Sequence, residues 1–207
     1  MISAKEALER LREGNRRFAA GLQSRDVLTS ATGRIDFSVT QEPFAVVLGC
    51  SDSRVPVEIV FQQGLGDLFV IRVAGNIVAP SQVGSVEFAA ERFSTRLVVV
   101  LGHTRCGAIQ ATLEDLQERT EKSRNLISIV DRIRPSVEGL LATELGRDRE
   151  ALARHAVRAN VRASANALRH GSDILERLIR DNGVRVVGAE YSVETGVVEF
   201  FDGLAGL

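Results

Sequence analysis

The sequence predicts an α/β fold, with a mainly parallel central β-sheet flanked by helices. Residues 44–48 and 97–101 are continuous apolar runs without polar alternation, as in strands that a parallel sheet buries on both faces. Helical patterns separate the apolar runs, and strands that alternate with helices favour a parallel sheet. The chain has no repeat array and no Pro- or Gly-rich linker. We therefore predict a single domain over residues 1–207, with an N-terminal helical arm and a C-terminal hairpin strand.

Residues 1–42 predict a helix followed by an arm. Apolar residues recur at helical spacing after Ser3, which forms a capping-box pattern with Glu6, and Gly21 is a suitable stop. The polar, irregular stretch that follows is typical of a loop, or of an arm that wraps a partner subunit. The α/β core is expected over residues 43–207.

The remaining elements follow from apolar runs and turn residues. Residues 68–71 and 184–191 predict strands, and a turn at Thr195-Gly196 leads into 197–201 as a hairpin partner. Helical patterns cover residues 82–93, 107–120, 123–133, 136–145, 149–169 and 172–182. Pro135 is expected to break this series, because proline lacks an N–H and its ring clashes with the preceding helical turn.

Composition excludes several classes of protein. Hydrophobic residues make up 44% of the 207, enough for a core, and the net charge is -1. Without a basic excess, neither nucleic acid nor an anionic membrane is an expected partner. The N-terminal residues lack the apolar stretch of a secretory signal, and no window approaches a membrane span. We expect a cytoplasmic protein.

Two polar clusters each follow the carboxyl end of an apolar run. Cys50-Ser-Asp-Ser-Arg54 comes after the first, and His103-Thr-Arg-Cys-Gly107 after the second. Sites in open α/β sheets form at the carboxyl ends of strands, so neighbouring strands would bring both clusters to one crevice. Thiolate, imidazole and carboxylate are the zinc ligand set, and thiolates disfavour magnesium or calcium. We expect one Zn²⁺ per chain at Cys50, Asp52, His103 and Cys106.

Two other interpretations of these residues stay open at this point. The cysteines and His103 can be core residues beside a surface Asp52–Arg54 pair. Alternatively, a purely structural zinc can be closed on four ligands, although such sites usually pair their ligands as Cys-x-x-Cys-like knuckles, which Cys50-x-Asp52 is not.

Arg54 lies two residues from Asp52 and can hold its carboxylate through two parallel hydrogen bonds. Two cysteines and one histidine leave one zinc position for water, whose pKa falls to about 7 on the metal. A bound Asp52 would close that position. The spacing therefore suggests a gate, in which Arg54 competes with zinc for Asp52 and the open site holds hydroxide.

The sequence resembles the β-carbonic anhydrases from about Glu6 to Asp202. The motifs that carry the resemblance are Cys50-Ser-Asp-Ser-Arg54, Gly64-Leu-Gly-Asp-Leu-Phe-Val-Ile-Arg72 with Ala74-Gly-Asn76, Gly102-His-Thr-Arg-Cys-Gly107, and Val187-Gly-Ala-Glu-Tyr191 with Thr195-Gly196. The resemblance implies zinc on Cys50, His103 and Cys106, with Asp52 and Arg54 as the catalytic dyad. It also implies homodimers, often paired into tetramers, with active sites at the subunit interface.

Four further residues acquire roles only through this resemblance. Gln41 matches a glutamine that hydrogen-bonds carbon dioxide or bicarbonate, and Gly107 matches a glycine whose amide helps to cradle substrate. Phe69 and Ala74 fall where the family lines its apolar pocket, although Phe69, in a strand, can equally be a core residue.

Arg72 is expected to be a buried ion-pair member, with Asp67 or Glu87.

Three positions depart from family patterns. Phe88 stands where plant-type relatives carry a tyrosine, and Arg92 lies near where some relatives place a proton-shuttle histidine. Because Arg92 is not a histidine, the residue that would shuttle the proton is unassigned. Val47 replaces the tryptophan of the bicarbonate-regulated subgroup.

The expected reaction is reversible hydration of carbon dioxide to bicarbonate and a proton by zinc-bound hydroxide. Two alternatives stay open: a carbon disulfide or carbonyl sulfide hydrolase of the same fold, and a non-catalytic zinc-stabilised binding protein.

Overall fold

The computed structural model describes residues 2–22, 41–118 and 123–207. The helices are α1 (Ala4–Ala19), α2 (Val57–Val60), α3 (Pro80–Arg92), α4 (Gly107–Glu118), α5 (Arg124–Leu141), α6 (Arg149–His170) and α7 (Asp173–Asp181). The strands are β1 (Ala45–Gly49), β2 (Leu68–Arg72), β3 (Leu97–His103), β4 (Arg185–Tyr191) and β5 (Val198–Asp202). Short 3₁₀ turns cover Ala74–Asn76 and Glu144–Arg147.

The strands form one sheet in the order β2-β1-β3-β4-β5, parallel except for the antiparallel pair β4–β5. This arrangement confirms the predicted α/β class and the C-terminal hairpin. Every residue of β1 and β3 is buried, because helices cover both faces of the sheet centre. Ala45 and Val47 pack on the side of α1 and α2, whereas Val46 and Leu48 pack on the side of α3, α6 and α7.

Helix α1 begins as the sequence predicted, with the Ser3 hydroxyl accepting from the Glu6 amide and the Glu6 carboxylate accepting from the Ser3 amide. Asn15 anchors the helix to the sheet. Its Nδ2 donates to the carbonyls of Val60 (3.2 Å) and Gly196 (2.9 Å), and its Oδ1 accepts from the Val198 amide (2.8 Å). Most of the predicted arm, residues 23–40, lies outside the described residues.

The expected break at Pro135 is wrong, because α5 continues through it. Proline removes one helical hydrogen bond, but the buried side chains Val130, Ile133 and Val137 lie on one face on both sides of it. Packing of that shared apolar face stabilises one continuous helix, although the local preference of proline is to divide it into two. Among the described residues, no helix is long and apolar enough to cross a membrane.

We predict that Gly14→Ala lowers the melting temperature. A Cβ at Gly14 would lie 1.8 Å from the Phe61 carbonyl oxygen. Because that oxygen is part of the backbone and cannot rotate away as a side chain can, α1 must move to relieve the clash. Such overpacking costs about 1–3 kcal/mol, whereas helix propensity alone favours alanine by about 1 kcal/mol. Gly139→Ala is the matched control, since its Cβ would meet nothing within 4 Å in α5. Equal melting temperatures for the two variants would contradict the clash.

Candidate metal centre

The loops that follow β1 and β3 meet at one edge of the sheet. These two strands are neighbours, with Gly49 paired to Leu101, so Cys50 emerges beside the last residues of β3. His103 ends β3, and Cys106 immediately precedes α4. The ligand atoms of Cys50, His103 and Cys106 all lie within 4.8 Å of one another, and the two sulfurs are 4.0 Å apart. All three residues are buried.

His103 has the features of a metal ligand. Its Nδ1 lies 2.9 Å from the Thr104 carbonyl oxygen, a contact in which Nδ1 carries the proton and Nε2 keeps its lone pair. Within the described ranges, Nε2 is buried and has no hydrogen-bond partner. A buried polar atom without a partner costs free energy, which a cation beside it would offset. Two sulfurs and one nitrogen suit zinc, so the residues present fit this ion.

The two thiols do not titrate alike. The hydrogen bond with Cys106 lowers the pKa of Cys50 to about 4. The same contact, together with burial, raises the pKa of Cys106. Of the two sulfurs, Cys50 is therefore the one that more readily carries the negative charge. Because only thiolates bind metal, loading the site should release a proton.

Asp52 is held by Arg54 through the predicted fork. Arg54 Nε donates to Asp52 Oδ1 at 2.9 Å, and Nη2 donates to Oδ2 at 2.8 Å. The side-chain hydrogen bond from Arg54 keeps the pKa of Asp52 well below its usual range. Oδ2 also lies 3.9 Å from His103 Nε2. The carboxylate is thus ionised, turned toward arginine, and adjacent to the cluster.

Arg72 contacts the metal loop instead of an acidic side chain. Its guanidinium donates to the backbone carbonyls of Cys50 (2.9 Å) and Asp52. The two acids proposed from sequence have other partners: Asp67 accepts from Arg10 at 2.8 Å, and Glu87 accepts from Ser172 at 2.6 Å. The expected ion pair was therefore wrong, and Arg72 fixes the loop after β1 from the neighbouring strand.

A turn between β4 and β5 supports the loop after β3, a role that sequence analysis missed. Thr104 Oγ1 donates to Glu194 at 2.6 Å and accepts from the Val193 amide at 3.1 Å. Arg105 Nε lies 2.6 Å from the same Glu194 carboxylate. Arg105 has a left-handed φ of 56°, and its carbonyl accepts from Arg54 Nη2 at 3.2 Å. Glu194 is therefore connected to Arg54, and so to Asp52, through a single residue, Arg105.

The four residues assigned to substrate from the resemblance occupy different surroundings. Gly107 begins α4 directly after Cys106, and Ala74 begins the turn after β2. Gln41 is exposed ahead of β1. Phe69 lies on β2 with its ring 6.2 Å from the rings of Phe88 and Phe93, and Phe88 is 53% exposed. Within one chain, Phe69 therefore packs against other aromatic side chains, as the core interpretation expects.

Comparison with known proteins identifies the family of this chain. A family model described as carbonic anhydrase matches residues 45–198. The chain is 36% identical over 190 residues to carbonic anhydrase 2 of Mycobacterium tuberculosis, covering 92% of this chain and 89% of that protein. It is 38% identical over 195 residues to a carbonic anhydrase of Mycolicibacterium smegmatis, covering 93% and 91%.

Solved structures agree as well. The β-carbonic anhydrase CcaA superposes with a TM-score of 0.75 at 25% identity, covering 98% of this chain and 94% of that one. A Coccomyxa β-carbonic anhydrase in complex with acetazolamide gives 0.74 at 26%, covering 94% and 86%. A tetrameric enzyme from Sordaria macrospora gives 0.75 at 24%, covering 83% and 87%. On this evidence, the chain belongs to the carbonic anhydrase family and has the β-class fold.

Proposed function

We propose that this chain catalyses the reversible hydration of carbon dioxide to bicarbonate and a proton, at one zinc ion held by Cys50, His103 and Cys106. Two observations carry the proposal: His103 Nε2 is buried and has no hydrogen-bond partner in the described part of the chain, and His103 offers a ring nitrogen within 4.8 Å of two cysteine sulfurs. When bound, zinc supplies a nucleophile at neutral pH by lowering the pKa of a coordinated water to about 7.

Asp52 and Arg54 lie beside the three residues that would hold the zinc, with Asp52 Oδ2 3.9 Å from His103 Nε2. An ionised carboxylate only accepts hydrogen bonds, so Asp52 orients the water that attacks carbon dioxide. Arg54 engages both Asp52 oxygens and so keeps the carboxylate from taking the open position itself. We propose this competition as a gate: while Arg54 holds Asp52, the carboxylate would stay off a bound zinc, and if Arg54 released it, Asp52 could bind the zinc and exclude water.

Substrate binding falls first to residues at the same carboxyl edge of the sheet. Gly107 is the first residue of α4, where backbone amides and the helix dipole favour the negative charge that develops on a carbon dioxide oxygen. We propose that Ala74, in the turn after β2, completes the pocket from the same chain. Phe69 and Gln41 lie toward the amino ends of β2 and β1, so we propose that they reach a pocket only from a second subunit. The exposed face of Phe88 beside Phe69 supports burial of this aromatic cluster against a second subunit, as in a homo-oligomer.

The test is stopped-flow hydration of carbon dioxide by the zinc-loaded protein at about pH 8.5, above the pKa near 7 of a zinc-coordinated water. We expect fast hydration and one zinc per chain. Carbon disulfide and carbonyl sulfide serve as comparison substrates, although the named relatives favour carbon dioxide. Sulfide release without carbon dioxide hydration would transfer the assignment to a hydrolase of the same fold. If the protein binds one zinc per chain but turns over none of the three substrates, the zinc would be assigned a structural role.

A further inference from the structure

Two buried polar residues of α6 lie far from the metal site in sequence but face a turn beside it. Asn160 is 2% exposed and Ser164 is 5% exposed. Residues four apart share one face of a helix, so both side chains point the same way. That face meets the turn Ala74–Asn76, which follows β2.

The turn has a backbone shape that depends on outside partners. Gly75 has φ 69° and Asn76 has φ 42°, both in the left-handed region, which is unfavourable for a residue with a Cβ. Asn160 Nδ2 donates to the Gly75 carbonyl at 2.8 Å. Ser164 Oγ donates to the Asn76 carbonyl at 3.0 Å. Helix α6 thus holds two consecutive carbonyls of this turn.

The peptide on the other side of the Gly75 Cα faces a metal cysteine. The Gly75 amide donates to Cys50 Sγ at 3.3 Å, and this contact is buried. An N–H that donates to sulfur favours the thiolate over the thiol, and the thiolate is the form that binds metal. Asn160, Gly75 and Cys50 therefore form one connected path from α6 to the site.

Close packing keeps α6 and the turn in place. A Cβ on Gly102 would lie 2.5 Å from Val161 Cγ2, and one on Gly188 would lie 2.9 Å from Val161 Cγ1, so only glycine lets α6 approach β3 and β4 this closely. A Cβ on Gly75 would lie 2.8 Å from Ile133 Cδ1. The turn is held between α5 and α6, and its amide has little room to change direction.

We propose that Asn160 is a positioning residue of the metal centre, which aims the Gly75 amide at Cys50 and so strengthens zinc binding. The inference rests on the proposed zinc site at Cys50, His103 and Cys106. Hydrogen bonds from outside a metal's own ligands orient those ligands, and removing one typically weakens metal affinity by about 10–100-fold.

The experiment measures the zinc dissociation constant of the full chain by competition with a chromophoric chelator at fixed pH. Asn160→Ala removes the donor, and Asn160→Leu removes it while filling the space. We expect both to bind zinc about 10–100-fold more weakly than the wild type. In cobalt-loaded protein, the sulfur-to-metal charge-transfer band should shift, which a purely structural role would not cause.

Asn15→Ala is the matched control. Asn15 is also a buried asparagine whose Nδ2 donates to backbone carbonyls, but it anchors α1 and not the turn. We expect it to lower the melting temperature and leave zinc affinity unchanged. If the Asn160 variants do not fold, Ser164→Ala tests the same turn: weaker zinc binding supports the proposal, and unchanged binding overturns it.

The outcomes separate this inference from the proposed function. If the wild type binds no zinc, the proposed metal site fails. If the wild type binds zinc stoichiometrically and the folded Asn160 variants bind it equally well, only the positioning role is overturned. Equal losses in the Asn160 variants and in Asn15→Ala would also overturn it, because the loss would then follow from general destabilisation.

Discussion

Cys106→Ser should abolish zinc binding and with it the hydration of carbon dioxide. Serine is a hard oxygen ligand that stays protonated near neutral pH, so the centre would keep only Cys50 and His103. Metal catalysis supplies several kcal/mol of transition-state stabilisation, so we expect activity to fall by about 10³-fold or more. Zinc content by mass spectrometry and stopped-flow hydration measure the two effects on the same preparation.

The fold itself should survive this substitution. Cys106 precedes α4 and differs from serine by one atom, and circular dichroism should match the wild type. Ile109→Val is the matched control, since Ile109 is buried one turn further along α4 and offers no ligand atom. It should keep one zinc and wild-type turnover. Full zinc content and full activity in Cys106→Ser would contradict the assignment of the metal centre.

Arg54→Gln should retain zinc and lose about 10²-fold in activity, comparable to removing one preorganised hydrogen-bond donor from an active site. Both side-chain hydrogen bonds of the fork disappear, and only the one from the residue 54 amide to Asp52 Oδ1 remains. Asp52 Oδ2 is then free to take the open metal position. Arg54→Lys should recover little, because an ammonium group cannot form the planar fork.

A spectroscopic experiment distinguishes closure from a simple loss of charge. In cobalt-loaded protein, azide should bind more weakly to Arg54→Gln than to the wild type, because Asp52 occupies the exchangeable position. Adding Asp52→Ala to Arg54→Gln should restore azide binding without restoring activity. Arg10→Gln removes an arginine paired to Asp67 at 2.8 Å and serves as the control, with wild-type behaviour expected. Azide affinity that is the same in all four proteins would refute the gate.

The sheet and the clustering of Cys50, His103 and Cys106 were predictable from sequence for a physical reason. Strands buried on both faces lose the polar alternation that otherwise obscures them, so β1 and β3 stand out as apolar runs. Parallel neighbours end at one edge, and the cysteines and histidine come where those runs stop. Local spacing was also sufficient for the fork, since Arg54 lies two residues from Asp52.

The supporting contacts were not predictable in the same way. Arg72 looked like an ion-pair residue because an arginine in a strand needs acceptors, but its acceptors are backbone carbonyls that no sequence pattern marks. Glu194 reaches Thr104 across 90 residues, and Asn160 reaches Gly75 across 85. Such contacts depend on which elements pack together. For the same reason, a local rule at Pro135 failed where an apolar helical face continued past it.

The contact between the last hairpin and the loop after β3 has a consequence for biosynthesis. The Thr104 amide donates to the Tyr191 carbonyl, and Thr104 Oγ1 joins Val193 and Glu194, so the loop between His103 and Cys106 is braced by residues near the end of the chain. On the ribosome, both cysteines emerge long before that brace exists. We expect the nascent chain to carry them as unprotected thiols and to acquire its metal only after translation of β4 and β5 is complete.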